Sequence, residues 1–165
     1  MDKRAKTSNT EPFYASMPLW ARPGFLIRRL HQINYAIFFE ECDAYDITPV
    51  QYALLTTLSM NPDTDQVSLG REIGIDRTNV ADVLRRLEQR GLVKRRKADY
   101  DGRATIARLT PAGDKVARDM FGAMQRAQTR LLAPLPAEER KAFMATLLKL
   151  VEANNHLGRT TFQPK

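Results

Sequence analysis

Cysteine and histidine are scarce in this sequence, which has only Cys42, His31 and His156 among its 165 residues. A single thiol excludes a disulfide within the chain, and no zinc-ligand spacing is present. No apolar run is long enough to span a membrane, and the polar start at Met1 leads into no hydrophobic segment typical of a secretion signal. We therefore expect a cytoplasmic protein with no metal ion and no other cofactor.

The residue patterns of common enzyme classes are missing as well. Serine, histidine and acidic residues occur at no recognisable nucleophile–base spacing, and no glycine-rich phosphate-binding loop is present. The sequence therefore predicts a protein that is not an enzyme.

Basic residues are abundant and unevenly placed. The chain has 26 lysines and arginines against 19 acidic residues, a formal net charge of +7. Between Arg85 and Arg103, eight basic residues accompany three acidic ones, so this stretch holds five of the seven net charges. Such a concentration favours a polyanionic partner. The other interpretation, a solvated surface without a partner, is weaker because the run adjoins a helix-turn-helix pattern.

Apolar residues at helical spacing, with helix-start and helix-stop residues, predict a mainly helical fold with a small β-wing. Thr48-Pro49 and Thr110-Pro111 each place a hydroxyl cap before a proline, which is typical of a helix start. Ser68 is predicted to cap a short helix that Gly74 ends, and Asp76 to cap the next one. The predicted helices cover about 19–44, 49–60, 68–74, 76–90, 110–134 and a last segment from 136.

The helix predicted over residues 76–90 is central to the functional prediction. Val80, Leu84 and Leu87 recur at helical spacing and give it one buried face, whereas the opposite face is polar. Two short strands, about 92–97 and 104–109, follow it and are joined by turn-forming residues. Helix, turn, helix and basic hairpin in this order can place one helix in a DNA groove and a charged loop beside it.

The polar face of this helix has side chains that read bases or hold phosphates. At its start, Arg77 suits guanine, Asn79 suits adenine, and Thr78 suits a thymine methyl group or a phosphate. Arg85 and Arg86 lie two turns further on, where phosphate contacts are expected.

The hairpin is expected to supply a second contact. Arg103 follows its turn and is expected to enter the minor groove, whose negative potential attracts arginine. Asp101 is expected to stiffen the tip by pairing with Arg103 or by accepting turn amides. The full set of predicted DNA-binding residues is Ser68, Arg77, Thr78, Asn79, Asp82, Arg85, Arg86, Arg95, Arg96, Lys97, Asp101 and Arg103.

Residues 47–113 resemble the MarR family of winged helix-turn-helix regulators. The segments that carry the resemblance, in the family's order and spacing, are Thr48–Leu55, Ile75–Val80, Leu84–Val93, Asp101–Arg103 and Leu109–Gly113. The flanking long helices extend the similarity to about residues 20–155. The resemblance implies a homodimer that represses at an inverted-repeat operator in double-stranded DNA and is released by a small ligand or by oxidation. It also matches the family's wing arginine to Arg103.

The resemblance also implies a domain organisation. We expect a flexible N-terminal arm over residues 1–18, a single MarR-type domain over 19–157 and a tail over 158–165. Within the domain, the winged helix-turn-helix lobe covers about 47–110, and the dimerisation helices cover about 19–45 and 111–157. A DNA-binding protein of this kind is expected at the nucleoid.

The family often binds effectors between the dimer helices and the DNA-binding lobe, and many of these effectors are small aromatic acids. The residues here that offer matching chemistry are Trp20, Tyr35 and Tyr52 for a ring, Arg22 or Arg28 for a carboxylate, and His31 for a hydroxyl or ring nitrogen. Benzoates, nicotinate derivatives and aryl thioesters would suit them. The alternative is that His31 and Tyr35 pack within a dimer helix and that Trp20 lies in the core.

Cys42 has neighbours that disfavour a reactive thiol. It follows Glu40 and Glu41 and precedes Asp43, and negative neighbours raise a thiol pKa. We expect that Cys42 is not a redox sensor. Two alternatives to a ligand-responsive repressor stay open, an architectural DNA-binding protein without an effector and a redox-responsive one. A repressor is distinguished by protection of a short inverted repeat with half-sites about one helical turn apart.

Overall fold

The structure is a computed structural model that describes residues 17–99, 104–158 and 160–161. Its helices are α1 (Pro23–Cys42), α2 (Pro49–Met60), α3 (Gln66–Ile73), α4 (Arg77–Gln89), α5 (Pro111–Asp119), α6 (Phe121–Leu132) and α7 (Ala137–Asn154). Its strands are β1 (Thr64–Asp65), β2 (Val93–Lys97) and β3 (Thr105–Leu109). Short 3-10 turns lie at Leu19–Ala21, Asp43–Tyr45 and Asn155–Leu157. The predicted fold class, mainly α with a small β-wing, is confirmed.

The sheet contains the predicted hairpin and one further strand. β2 and β3 pair antiparallel, with Val93 opposite Leu109 and Lys97 opposite Thr105. β1 pairs antiparallel with β3 on the other side, so β2 lies at an edge of the sheet. The sequence did not predict β1, because a strand of two residues is too short to show an alternating pattern.

The core of the lobe lies between α2, α3, α4 and the inner face of the sheet. Leu54 and Leu55 on α2, Leu69 on α3 and Leu84 on α4 are fully buried. The helical period directs these side chains to one side of each helix. Each one stabilises the fold by about 1.5–3 kcal/mol relative to an exposed position. This core fixes the orientation of α4.

Capping side chains set the helix starts. Thr48 and Gln51 form a reciprocal capping box at α2, and Thr110 accepts the Gly113 N–H at α5. The prediction for α3 is corrected, because its cap is Asp65 and not Ser68. The Asp65 carboxylate accepts the N–H groups of Val67 and Ser68, so the cap of α3 lies three residues earlier than expected.

Two predicted long helices are interrupted. The segment predicted over 19–44 is α1 with a 3-10 turn at each end. Pro23 occupies the first turn of α1, which favours a helix start there, and Asp46 ends the second 3-10 turn in the left-handed region. The segment predicted over 110–134 is α5 followed by α6, with fully buried Met120 at the junction. The sequence carries no proline at that junction, and Gly122, the residue there that disfavours a helix, lies within α6.

The terminal helices leave apolar side chains uncovered in the single chain. α7 has no buried residue, and α1 exposes Leu26, Ile27 and Ile33. No helix within the described segments is long and apolar enough to cross a membrane. α1 and α7 therefore carry apolar side chains that the single chain does not cover.

Candidate nucleic-acid interface

α3 and α4 form a helix-turn-helix with a tight turn. Gly74 ends α3 in the left-handed region at φ 74°, and the Ile75 N–H donates to the Gly70 carbonyl at 3.0 Å. A Cβ atom at Gly70 would lie 2.6 Å from the Ile75 carbonyl oxygen, so the turn needs a glycine there. Asp76 then caps α4 by accepting the Asn79 N–H at 3.0 Å. These contacts fix the angle at which α4 leaves the turn.

The outer face of α4 presents the predicted base- and phosphate-contacting residues to solvent. All six are exposed, and they are Arg77, Thr78, Asn79, Asp82, Arg85 and Arg86. The Asn79 amide donates to Asp76 at 2.8 Å, so it must leave this bond to read a base. Arg85 pairs with Asp82 at 3.4 Å, and an exposed pair of this kind contributes little stability and exchanges partners readily.

Ser68 has a structural partner. Its hydroxyl donates to the Asp65 carboxylate at 2.7 Å, inside the cap of α3, and the side chain is half-buried. Burial of the Asp65 carboxyl raises its pKa, but the hydrogen bonds from the Ser68 hydroxyl and from three backbone N–H groups lower it by more. The pKa of Asp65 therefore lies below its ordinary value. The Ser68 hydroxyl therefore stabilises the start of α3, and it would have to leave Asp65 in order to donate to a phosphate.

The basic residues of β2 divide into two groups. Arg95 is turned toward α4 and is hydrogen-bonded to Glu88, with Arg95 Nε 2.7 Å from Glu88 Oε2. This bond holds the pKa of Glu88 below its ordinary value. Arg96 pairs with Asp99 at 2.9 Å, and Lys97 is exposed. Lys97 and Arg96 are therefore the more available cations of the predicted stem.

A second ion-pair cluster, which the sequence did not predict, joins β3 to the turn after α2. Arg108 Nε donates to Asp63 at 2.9 Å, and Arg96 Nε lies 4.0 Å from the same carboxylate. The bond from Arg108 lowers the pKa of Asp63. Asp63 adopts a left-handed conformation at φ 59°, which aspartate tolerates better than most residues. The only sequence signal was a lone arginine in an otherwise apolar strand.

The hairpin tip lies outside the described residues. Asp101 and Arg103 both fall within residues 100–103, between the two described segments. Their predicted roles at the tip stay predictions.

The predicted effector residues lie in more than one place. Tyr52 lines a cavity of about 400 Å³ between α2, α5 and the start of α6. The other residues around it are Thr56, Ser59, Met60, Ala117, Arg118 and Phe121. His31 instead lines a separate groove between α1, α6 and α7. In the described part of the chain, therefore, Tyr52 and His31 line different pockets.

The remaining predicted effector residues belong to the N-terminal segment. Trp20 is 71% exposed, which excludes its alternative placement in the core of the single chain. Arg22 donates to the Met17 carbonyl at 3.1 Å, and the Arg28 guanidinium lies 5.3 Å from the Phe25 ring centroid. The rings of His31 and Tyr35 meet edge to face at 4.8 Å. Sequence reasoning missed Arg118 and Phe121, which only tertiary contact places beside Tyr52.

Cys42, the last residue of α1, is buried and only 1% exposed. Burial raises the pKa of its thiol, and the negative charge of Glu41 raises it further. The expected direction of the pKa shift is confirmed, although burial contributes more than the acidic neighbours. A buried thiol with a raised pKa is a poor nucleophile toward peroxide.

Sequence comparison identifies relatives of this chain. The MarR family sequence model matches residues 47–105. The transcriptional regulator HosA of Escherichia coli is 30% identical over 125 residues, which cover 76% of this chain and 91% of HosA.

Solved structures agree in fold over most of the chain. The PcaV transcriptional regulator from Streptomyces coelicolor, in complex with its natural ligand, is 34% identical with a TM-score of 0.75, covering 82% of this chain and 95% of PcaV. Bordetella bronchiseptica BpsR, whose DNA binding is regulated by 6-hydroxynicotinic acid, is 25% identical with a TM-score of 0.78, covering 86% of this chain and 99% of BpsR. The chain belongs to the MarR family of transcriptional regulators.

Proposed function

We propose that this protein is a homodimeric repressor that binds an inverted-repeat operator and is released from it by a small aromatic or heteroaromatic acid. The observation that carries the DNA-binding part is the exposed polar face of α4, held by the α3–α4 turn beside a basic hairpin. Such a repressor would control catabolism or efflux of the acid. MarR-type regulators bind DNA as dimers, which supports the same arrangement here.

Selection from random duplexes tests the DNA-binding part. We expect enrichment of an inverted repeat with half-sites about one helical turn apart, because two α4 helices of a dimer enter successive major grooves. An architectural protein without an effector would enrich no such repeat. A promoter carrying the selected repeat should then be transcribed less when the protein is added in vitro.

Arg77→Ala is expected to relax base preference. Arg77 lies at the exposed start of α4, so its loss should reduce discrimination between the operator and a base-substituted operator by about 1–3 kcal/mol. Binding titrations on both duplexes measure this. As a control, Arg86→Ala should weaken binding to both duplexes alike and reduce the salt dependence by about one phosphate contact. Equal weakening on both duplexes by Arg77→Ala would contradict the proposed base contact.

The cavity beside Tyr52 is the proposed effector site. Tyr52 and Phe121 offer aromatic surfaces, and Arg118 offers a cation for a carboxylate. α2 packs against α3, α4 and α5, so a ligand between α2 and α5 bears on the elements that orient the DNA-binding helix. Regulation of BpsR by 6-hydroxynicotinic acid supports this ligand class. The placement moves the proposed site from the N-terminal residues of the sequence prediction toward α5 and α6.

Arg118→Gln is expected to raise the concentration of aromatic acid that releases the operator by about tenfold or more, since a hydrogen bond to a charged group contributes about 1.5–3 kcal/mol. Operator release by a panel of benzoates and pyridine carboxylates measures this. Lys115→Gln is the matched control. Arg118 pairs with Asp114 and Lys115 with Asp119, each four residues away on α5, but Lys115 lies outside the cavity. Equal effects of the two substitutions would exclude Arg118 from the site.

The redox-responsive alternative predicts a different behaviour. We expect mild peroxide to leave operator binding of the wild-type protein unchanged, because the Cys42 thiol is buried and its pKa is raised. Mobility-shift assays on wild type and Cys42→Ser check this. Loss of binding in wild type that Cys42→Ser prevents would establish the redox alternative.

A further inference from the structure

Arg95 makes an unusual set of contacts for a residue in a basic run. From its side chain, Nε donates to Glu88 Oε2 at 2.7 Å and Nη2 donates to the same oxygen at 2.5 Å. Its backbone N–H donates to Glu88 Oε1 at 3.1 Å. One carboxylate at the end of α4 therefore accepts three hydrogen bonds from one residue of β2.

The position of Arg95 in the sheet explains these contacts. Alternate residues of a strand point to opposite faces, and Arg95 shares a face with buried Val93 and lies opposite buried Ala107. Lys94 and Arg96 point to the other face. Because β2 is an edge strand, alternate N–H groups point away from β3 and need another partner. Glu88 supplies that partner for the N–H of Arg95.

The pair is more sheltered than the other cations of the strand. The Arg95 side chain is 24% exposed, whereas that of Arg96 is 47% exposed. Charge-assisted hydrogen bonds are stronger than neutral ones, and here the backbone N–H and the guanidinium of Arg95 both hold the Glu88 carboxylate. The link between α4 and β2 is short, with Gly91 at φ 70° and the Leu92 N–H bonded to the Leu87 carbonyl. The Glu88–Arg95 hydrogen bonds are a second connection between α4 and β2.

We infer that Glu88 and Arg95 are positioning residues, which fix the angle between α4 and the hairpin so that both reach DNA together, and that Arg95 itself contacts no phosphate. This inference rests on the proposed DNA-binding function. It replaces the sequence prediction that Arg95 is a DNA contact like Arg96 and Lys97.

The direction in which Glu88→Gln changes operator affinity distinguishes this inference from a purely electrostatic effect. Glu88→Gln removes a negative charge near the DNA surface, so electrostatics alone predicts tighter operator binding. The positioning role predicts binding at least about threefold weaker, because a neutral amide holds the guanidinium poorly. Asp99→Asn, which removes an exposed acid of the hairpin, is the matched control and should bind as tightly as wild type or more tightly. Tighter binding by both variants would overturn the inference.

Salt dependence tests the second half of the inference. Arg95→Gln should weaken operator binding without changing the slope of log K against log salt. Loss of a phosphate contact would reduce that slope by about 0.9. A reduced slope would show that Arg95 contacts DNA and would overturn its assignment as a positioning residue.

Hydrogen exchange of the free protein gives a readout that needs no operator. In Glu88→Ala, the Arg95 amide should exchange about tenfold faster or more, because its acceptor is gone. The Ala98 amide, which donates to the Ala104 carbonyl at 3.0 Å, should exchange as in wild type. An unchanged Arg95 amide would overturn the inference even if no operator were found, so its failure is distinguishable from failure of the proposed function.

Discussion

A Leu148→Asp/Val151→Asp double variant is expected to be monomeric and to bind operator about 100-fold more weakly or worse. Leu148 and Val151 are neighbours on α7 and are 45% and 48% exposed in the single chain. Two carboxylates at this site would have to be buried without partners when a second copy covers the face. A monomer engages one half-site and loses the effective concentration that links two binding events, which is worth 10²–10⁴-fold in general.

Light scattering and operator titration measure the two consequences. Ala142→Asp/Ala153→Asp is the matched control, since it adds the same charge on the opposite side of α7, where both alanines are exposed. The control should remain dimeric and bind normally. If the Leu148→Asp/Val151→Asp variant stayed dimeric, the dimer interface would have to lie elsewhere.

Gly113→Ala is expected to destabilise the protein by about 3 kcal/mol or more, the upper range for overpacking. Gly113 is buried in the first turn of α5, and a Cβ atom there would lie 1.9 Å from the Leu92 carbonyl oxygen. That oxygen also accepts the Thr110 N–H at 3.0 Å, and the Thr110 hydroxyl donates to the Gly91 carbonyl at 2.7 Å. Backbone on both sides is thus held in place, and an alanine would push α5 away from the start of β2.

Thermal unfolding measures this effect, with a fall in Tm of roughly 6–12 °C expected for a chain of this size. Gly122→Ala is the control, because its Cβ atom would meet nothing closer than Arg126 Nη1 at 3.8 Å. In an exposed helix position, alanine is favoured over glycine by about 1 kcal/mol, so this variant should be as stable as wild type or more stable. A Gly113→Ala protein with the wild-type Tm would show that the α5–β2 contact is looser than the structure has it.

Local patterns predicted the elements that face DNA. The apolar spacing of Val80, Leu84 and Leu87 predicted both the existence of α4 and its buried side, and all three are fully buried. Asp76 and Thr110 were predicted as caps and are caps. These succeed because a helix period and a cap involve residues within a few positions of each other, so the physical cause lies within the sequence window.

Predictions that depended on distant contacts were less complete. Ser68 was a reasonable cap by residue type, but Asp65 takes that role because its carboxylate reaches two N–H groups at once. Arg95 was assigned to DNA from charge alone, whereas the pleat of β2 turns it toward Glu88. Tyr52 was grouped with His31 from chemistry alone, and the fold separates them by placing α6 between their grooves.

Motifs in the sequence were enough to indicate the family. Short-range periodicity and charge predicted the helix-turn-helix, its basic hairpin and the side of α4 that faces outward. Tertiary structure alone decided which acidic partners the cations of β2 have, which residues surround Tyr52, and why Gly70 and Gly113 have no side chain. In each of these cases the deciding atom lies on another element, brought near only by packing. The sequence gives the charge of a side chain, but the fold decides which partner lies beside it.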